Sequence, residues 1–171
     1  FCMVMLGNVL AQVRIYQPRK FYDAKMELKD GIMHGVGQLG AWKGEQQSMN
    51  DYMGVVGKNS PCLFMVYAGV KRDTMPHPEH IREAIDTLNS IEQRYENVKV
   101  IPQLGLYIVD FVNALEDNSS YNMVGIDTLI STMNESQRPW YVRIGYEFNG
   151  GWNGYKPDAY KKAYTLITER F

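Results

Sequence analysis

Apolar and polar positions follow two rhythms that alternate along this chain. Short runs that are apolar at nearly every position read as buried strands, and the segments between them place apolar side chains at helical spacing. The first run, GIMHGVGQ from Gly31 to Gln38, reads as a short strand ending in glycines. A loop from Gly40 to Gly44 carries Trp42, and a modest helix is predicted over Gln47 to Val56, ended by Asn59, Ser60 and Pro61. PCLFMVYAGV, Pro61 to Val70, is apolar on both faces, as a parallel strand covered by helices requires. The loop Lys71 to Pro78 leads into the clearest amphipathic helix, Glu79 to Tyr95, whose apolar stripe is Ile81, Ala84, Ile85, Leu88 and Ile91. VKVIPQLGLYI, Val98 to Ile108, is a third strand whose middle Pro102 is expected to make irregular. A long loop rich in Asp, Asn and Ser then leads to a helix over about Ile126 to Asn134. Pro139 opens a fourth strand, Trp140 to Glu147, and Pro157 starts a last helix, Asp158 to Arg170, at a position where proline is tolerated.

Strand and helix thus repeat four times, which implies a parallel sheet with right-handed crossovers. Two architectures fit: an open doubly wound sheet, or part of a (β/α)8 TIM barrel. A complete barrel takes about 250 residues. The expected fold is α/β, a (β/α)8 barrel of which this chain supplies about the first four βα units, favoured over the open sheet by the chemistry at the end of the fourth strand. In that organisation residues 31–171 form the N-terminal half of the barrel domain, and residues 12–30 are a polar and aromatic lead-in broken by Pro18. For residues 1–11 two readings stay open: a partial signal peptide with a small-residue site at Val9, Leu10 and Ala11, or a short apolar segment packed on the domain. The first would make the protein secreted or periplasmic.

Composition narrows the function classes. The chain has 171 residues, 45 % hydrophobic and 22 % charged, as a globular domain does. Its net charge is −1 with acids and bases interspersed, so nothing draws it to nucleic acid or to an anionic membrane. The opening apolar run is too short to span a bilayer, which takes about 20 residues. Two cysteines, Cys2 and Cys62, build neither a disulfide framework nor a zinc site. Twelve Tyr and three Trp suit a surface that stacks on ring-shaped ligands.

Several motifs have plain readings. Gly35-Val36-Gly37-Gln38-Leu39-Gly40 matches G-x-G-x-x-G, but a dinucleotide site needs a helix at once and an acid about 20 residues on. Here Trp42, Lys43 and Gly44 delay the helix, and Ser60 and Pro61 stand near the acid's place. His77 and His80 lie on a polar helix face without further ligands, so neither a metal nor a cofactor is expected. No G-x-S-x-G elbow appears.

The chemistry concentrates in YVRIGYEFNGGWNGY, Tyr141 to Tyr155. A carboxylate is costly to bury unless it is paired or used, so Glu147 at the end of an apolar run stands out, with a solvated strand-end Glu as the plain alternative. Side chains alternate along a strand, so Tyr141, Arg143, Gly145 and Glu147 share one face; if that face looks into a barrel, Glu147 sits at the carboxyl-terminal mouth. Arg143 would then lie about 13 Å deeper and pair with acids inside the barrel. Beyond Glu147, Asn149, Gly150, Gly151, Trp152, Asn153 and Tyr155 combine flat apolar faces, amide donors and acceptors, and glycines that admit a ligand to the backbone. A sugar ring, apolar on its faces and hydroxylated at its rim, asks for that set.

The run RIGYEFNGGW resembles the fourth-strand signature of clan A glycoside hydrolases, above all the β-mannanase family, glycoside hydrolase family twenty-six. The close match covers about a dozen residues. The resemblance implies that Glu147 is the general acid/base, that Asn149 and Trp152 belong to sugar subsites, and that Arg143 matches the arginine four residues before the acid. Tyr146 stands where that family has His; the residue before the acid/base ordinarily helps to hold substrate, so the change leaves the sugar open. By position Tyr146, Asn153, Tyr155, His34, Gln38, Tyr67 and Gln103 are further substrate contacts. In that clan the nucleophile is a Glu on the seventh strand, outside this chain; Asp73 and Asp110 are the nearest carboxylates by position within it. The expected function is a retaining β-glycanase, mannanase-like, acting on a polysaccharide or oligosaccharide, of which these residues alone would bind sugar weakly and cleave nothing. The alternatives are a non-catalytic carbohydrate-binding protein and, behind it, a dinucleotide-binding α/β domain.

Overall fold

Four strands pair side by side in the order in which the chain makes them. The computed structural model describes residues 26, 33–37, 45–56 (backbone alone for 45–50), 61–70, 78–95, 98–119, 121 and 123–171. Two compact units divide the chain, 1–32 and 33–171. Of the first only Met26 is described, so the readings of residues 1–11 and 12–30 lie outside the described residues, as do Gln38, the loop with Trp42, Asp73 and His77.

In the second unit β1 (Gly35–Val36) is followed by α1 (Glu45–Val56), β2 (Leu63–Gly69), α2 (Pro78–Arg94), β3 (Ile101–Tyr107), α3 (Val109–Glu116), α4 (Val124–Glu135), β4 (Tyr141–Ile144) and α5 (Pro157–Thr168). All three strand pairs are parallel, in the order β1-β2-β3-β4. A doubly wound sheet reverses its strand order at the crevice where ligands bind. These four strands do not reverse, which removes the structural basis of the dinucleotide reading. Gly35 itself lies in β1, and α1 begins only at Glu45.

Sequential order has a consequence for the layers. Right-handed crossovers between neighbouring strands place every helix on the same side. Phe64, Val66, Leu104, Leu106 and Ile144 point to that side and join Ile81, Leu88, Ile91, Ile126, Leu129, Met133, Ala163 and Ile167 in one buried core. The opposite face carries Met65, Tyr67, Gln103, Tyr141 and Arg143, all partly or well exposed. Apolarity on both faces of β2 had suggested helices on both; among the described residues only one face is covered.

Pro102 does not disturb β3. The Ile101 N–H bonds to the Cys62 carbonyl at 2.8 Å, and the Leu106 carbonyl accepts from Gly145 N–H at 2.8 Å, so odd positions face β2 and even ones face β4. β4 starts at Tyr141, opposite Gln103. The N–H that Pro102 lacks would therefore point where no partner strand has yet begun.

The stretch after β3 is not wholly a loop. α3 buries Phe111, Val112 and Ala114 and packs against α5. It is only eight residues long and starts directly after Ile108 without a capping side chain, so it lacks both the length and the start signal by which sequence reveals a helix. At the opposite end of the sheet, Arg138 reaches from the approach to β4 to Glu92 and Asn89 on α2, at 2.9 and 2.6 Å, and to the Val100 carbonyl at 3.3 Å.

Candidate active site

Glu147 does not lie on a strand. β4 ends at Ile144; Gly145 keeps one more ladder bond and then turns with φ of 62°. Glycine is required there twice over, because that φ disfavours other residues and a Cβ would stand 2.6 Å from the Tyr160 ring. Glu147 follows in the left-handed region at φ of 55°, a conformation costly for any residue with a Cβ. The shared face proposed for Tyr141, Arg143, Gly145 and Glu147 therefore ends at the turn.

The turn is closed by its own residues. The Gly150 N–H donates to the Glu147 carbonyl at 2.9 Å, and Asn153 Nδ2 donates to the carbonyls of Glu147 and Tyr146 at 3.1 and 3.3 Å. A single 3₁₀ turn, Gly151–Asn153, then brings Trp152 back over the acid, and its indole N–H donates to Glu147 Oε2 at 2.9 Å. The indole lies against Gly150, where a Cβ would meet ring carbons at 2.4 Å. Gly150 thus makes room for Trp152 itself, rather than for a ligand. Trp152 remains 77 % exposed and Phe148 62 %, so both present apolar rings beside the carboxylate. Phe148 stacks on Tyr160, centroids 5.6 Å apart at 21°.

Tyr146 points the other way, into an aromatic group at the carboxyl ends of β2 and β3. Its ring meets Tyr67 edge-on at 5.2 Å and Tyr107 at 6.3 Å. Gly105, between Tyr67 and Arg143 in the sheet, leaves the space: a Cβ there would be 2.7 Å from the Tyr67 ring. Burial raises the Tyr146 hydroxyl above the usual tyrosine range, with Tyr67 and Glu147 adding to it. Arg143 Cζ sits 5.4 Å from the Tyr146 ring centroid, and among the described residues it makes no ion pair. Among the described residues its contact is this cation–π stack.

The other expected contacts separate into two groups. Asn149 is exposed on the same turn, and Tyr67 lies under Tyr146. His34 lies elsewhere: it precedes β1, its carbonyl accepts from Cys62 and Leu63 at the start of β2, and its Nε2 pairs with the Tyr52 hydroxyl at 3.0 Å. That is the amino-terminal edge of the sheet, opposite to Glu147: of the predicted strand Gly31 to Gln38 only Gly35 and Val36, just after His34, pair as β1 among the described residues. Gln103 is level with Tyr141 at the beginning of β4, below the mouth. Tyr155 packs on Tyr160 at 5.3 Å with its hydroxyl buried and without a well-formed hydrogen bond. Burial pushes that hydroxyl up to about 12, opposed in part by the Ile108 backbone. Asn153 has its amide nitrogen engaged by the turn. Tyr107 and Gly105 belong to the aromatic group and were not singled out in the sequence; strand-end position and the alternation Gln103, Gly105, Tyr107 were the available signals.

Asp110, one of the two fallback carboxylates, lies in the first turn of α3. No group of three or more His, Cys, Asp or Glu side chains among the described residues is placed to hold a metal ion. No helix of the described residues is long and apolar enough to cross a membrane.

No family model matches the chain. It is similar to a protein named β-1,3-xylanase TXYA from a Vibrio species, 29 % identical over 149 residues, which is 86 % of this chain and 30 % of that protein. A β-1,3-xylanase from an Alcaligenes species is 26 % identical over 151 residues, 86 % of this chain and 29 % of that protein. The chain thus spans about 30 % of the length of these curated relatives. Both are named for β-1,3-xylan, where the resemblance in the fourth-strand motif points toward β-mannan.

Proposed function

We propose that this chain is part of a retaining glycoside hydrolase that cleaves a polysaccharide, with Glu147 as the general acid/base. One observation carries the reading. A carboxylate stands in a strained turn at the carboxyl end of a parallel sheet, oriented by an indole N–H at 2.9 Å and flanked by exposed aromatic rings. Backbone strain of this kind is kept where the surrounding structure enforces it, and it clusters at functional sites. The sequential parallel order of the four strands is compatible with part of a (β/α)8 barrel, a fold in which catalytic groups gather at the carboxyl ends of strands.

In this reading Glu147 gives its proton to the glycosidic oxygen as the C–O bond breaks. A second carboxylate about 5 to 5.5 Å away, beyond the residues of this chain, attacks the sugar carbon. Glu147 then takes a proton from the water that hydrolyses the intermediate. Trp152 and Phe148 supply faces for sugar rings, and Tyr146, backed by Tyr67 and Tyr107, forms the wall where the resembled family has His. The relatives' names favour β-1,3-xylan over β-mannan as substrate. A polymer of that kind is met outside the cytoplasm, which suits a secreted protein.

The test is Glu147→Gln in the full-length protein, assayed on β-1,3-xylan and on mannan. Loss of general acid catalysis lowers the rate by about 100- to 10,000-fold. Unchanged hydrolysis would remove Glu147 from the mechanism. The exposure of Trp152 and Phe148 also favours a second reading, a protein that binds the polysaccharide without cutting it. In that case wild type and Glu147→Gln bind equally and neither releases reducing ends.

A further inference from the structure

We infer that Gly150 and Trp152 act as one positioning device that selects which oxygen of Glu147 carries the catalytic proton. The inference rests on the glycosidase reading and deepens it. Four contacts hold Glu147 from within its own turn. Asn153 Nδ2 and the Gly150 N–H fix its carbonyl, Asn153 also holds the preceding carbonyl of Tyr146, and Trp152 Nε1 takes Oε2 of its side chain. An oxygen that accepts an N–H hydrogen bond at 2.9 Å is the poorer place for a proton, since the hydroxyl oxygen of a carboxylic acid is a weaker acceptor than its carbonyl oxygen. The proton therefore resides on Oε1. Holding the backbone and one carboxyl oxygen together restricts rotation of the other, so Oε1–H is presented along one direction.

Gly150 is what allows the indole to lie there. Its own φ of −81° and ψ of 125° suit any residue, so the backbone does not demand glycine. The demand comes from the ring: a Cβ at this position would fall 2.4 Å from Cε2 and Cζ2 of Trp152. Alanine at this site must push the indole away and so take its N–H from Oε2, while the aromatic residue stays in the chain. Gly54, exposed on α1, would admit a Cβ without contact and stands apart from this turn.

The step it serves balances simply. The Oε1–H bond breaks as the proton passes to the glycosidic oxygen. The electron pair of the breaking C–O bond stays on that oxygen, and Glu147 is left as a carboxylate while a second carboxylate bonds to the sugar carbon. A leaving group that is already stable as an anion needs no proton. Positioning of Glu147 should therefore matter for glycosylation by polysaccharide and scarcely at all for glycosylation by a substrate with such a leaving group, while hydrolysis of the intermediate uses Glu147 as base in both cases.

The experiment compares Trp152→Phe, which keeps an aromatic face and loses the N–H, with Gly150→Ala and the control Gly54→Ala in the full-length protein. Each is assayed on β-1,3-xylan and on 2,4-dinitrophenyl β-xylobioside. Trp152→Phe and Gly150→Ala are expected to lower kcat on xylan by about 10- to 100-fold, as misplacement of a catalytic group does. On the aryl glycoside kcat/KM, which reads glycosylation, loses less than about threefold, because that step does without general acid help. Gly54→Ala should behave as wild type on both. Equal losses on both substrates, carried in KM, would overturn the inference and leave Trp152 as a stacking platform. Wild-type activity in Gly150→Ala would overturn it as well. Wild-type protein that cleaves neither substrate would overturn the glycosidase reading beneath it, an outcome distinct from the other two.

Discussion

If the conformation of Glu147 is imposed by the turn, then at this position glycine must be more stabilising than alanine, the reverse of the ordinary order. A non-glycine residue in the left-handed region costs about 1–2 kcal/mol. Glycine gives back about 0.4–1 kcal/mol of that through its greater freedom in the unfolded chain. Both Glu147→Gly and Glu147→Ala lose the same hydrogen bond from Trp152, so that loss cancels when the two are compared. The difference left is about 0.5–1 kcal/mol in favour of glycine, where a position in a helix or strand would favour alanine by a similar amount. Urea unfolding of the two full-length variants, followed by circular dichroism, reads this difference in the midpoint at equal slope. In thermal melts it corresponds to about 1–4 °C for a domain of this size. Both variants should also be inactive on polysaccharide. An alanine variant as stable as the glycine variant would refute the left-handed turn, and with it the strain argued for the site.

Two further predictions concern pH. Arg138, with the Val100 N–H, holds the Glu92 carboxyl below the usual carboxylate range against the opposing effect of burial. A lowered folded value stabilises the protein above the unfolded carboxylate value, about 4.3, and that stability is lost as pH falls through the folded value. Arg138→Met should cost about 3 kcal/mol at neutral pH and flatten the loss below pH 4.3, measured as urea midpoints at pH 7 and pH 3; a slope equal to wild type would contradict the pairing. Part of the slope stays in the variant, because Arg82 likewise lowers Glu135. For Tyr155 the sign is opposite: its raised value, about 12, gives stability present below the unfolded tyrosine value and lost as pH climbs through about 12. Tyr155→Phe should be close to neutral at pH 7 and lose less stability than wild type between pH 10 and 12, with Tyr146 and Tyr160 keeping some alkaline sensitivity. An unchanged alkaline limb would show that the buried hydroxyl does not titrate against folding.

Local pattern was enough for the parts of this protein whose structure is local. The stripe Ile81, Ala84, Leu88 and Ile91 makes α2 helical and buries the same residues it predicts. The runs around Phe64, Val66, Leu104 and Leu106 make strands, and the alternation of strand with helix gives a parallel sheet. The concentration of Glu, Asn, Gly and Trp after β4 marked the site, because those residue types have few other reasons to occur together.

What the pattern could not supply was where β4 stops and how its end is turned. Alternation along Trp140 to Glu147 reads as continuous strand, yet the ladder partner at Leu106 is used up by Gly145, and Tyr160 fills the space beside it. The turn that follows is decided by closures among Glu147, Gly150 and Asn153, not by the propensity of any one residue. The same holds for His34, whose place depended on which residues of the first strand found partners, and for α3, held by burial against α5 despite its two turns. The sequence by itself determined that Glu147, Asn149 and Trp152 would lie together just after β4, because they are neighbours along the chain. Only the tertiary structure decided that Glu147 stands in a left-handed turn with Trp152 on one of its oxygens, because a residue's direction is set by hydrogen bonds and packing that close through space, and side-chain periodicity carries no record of them.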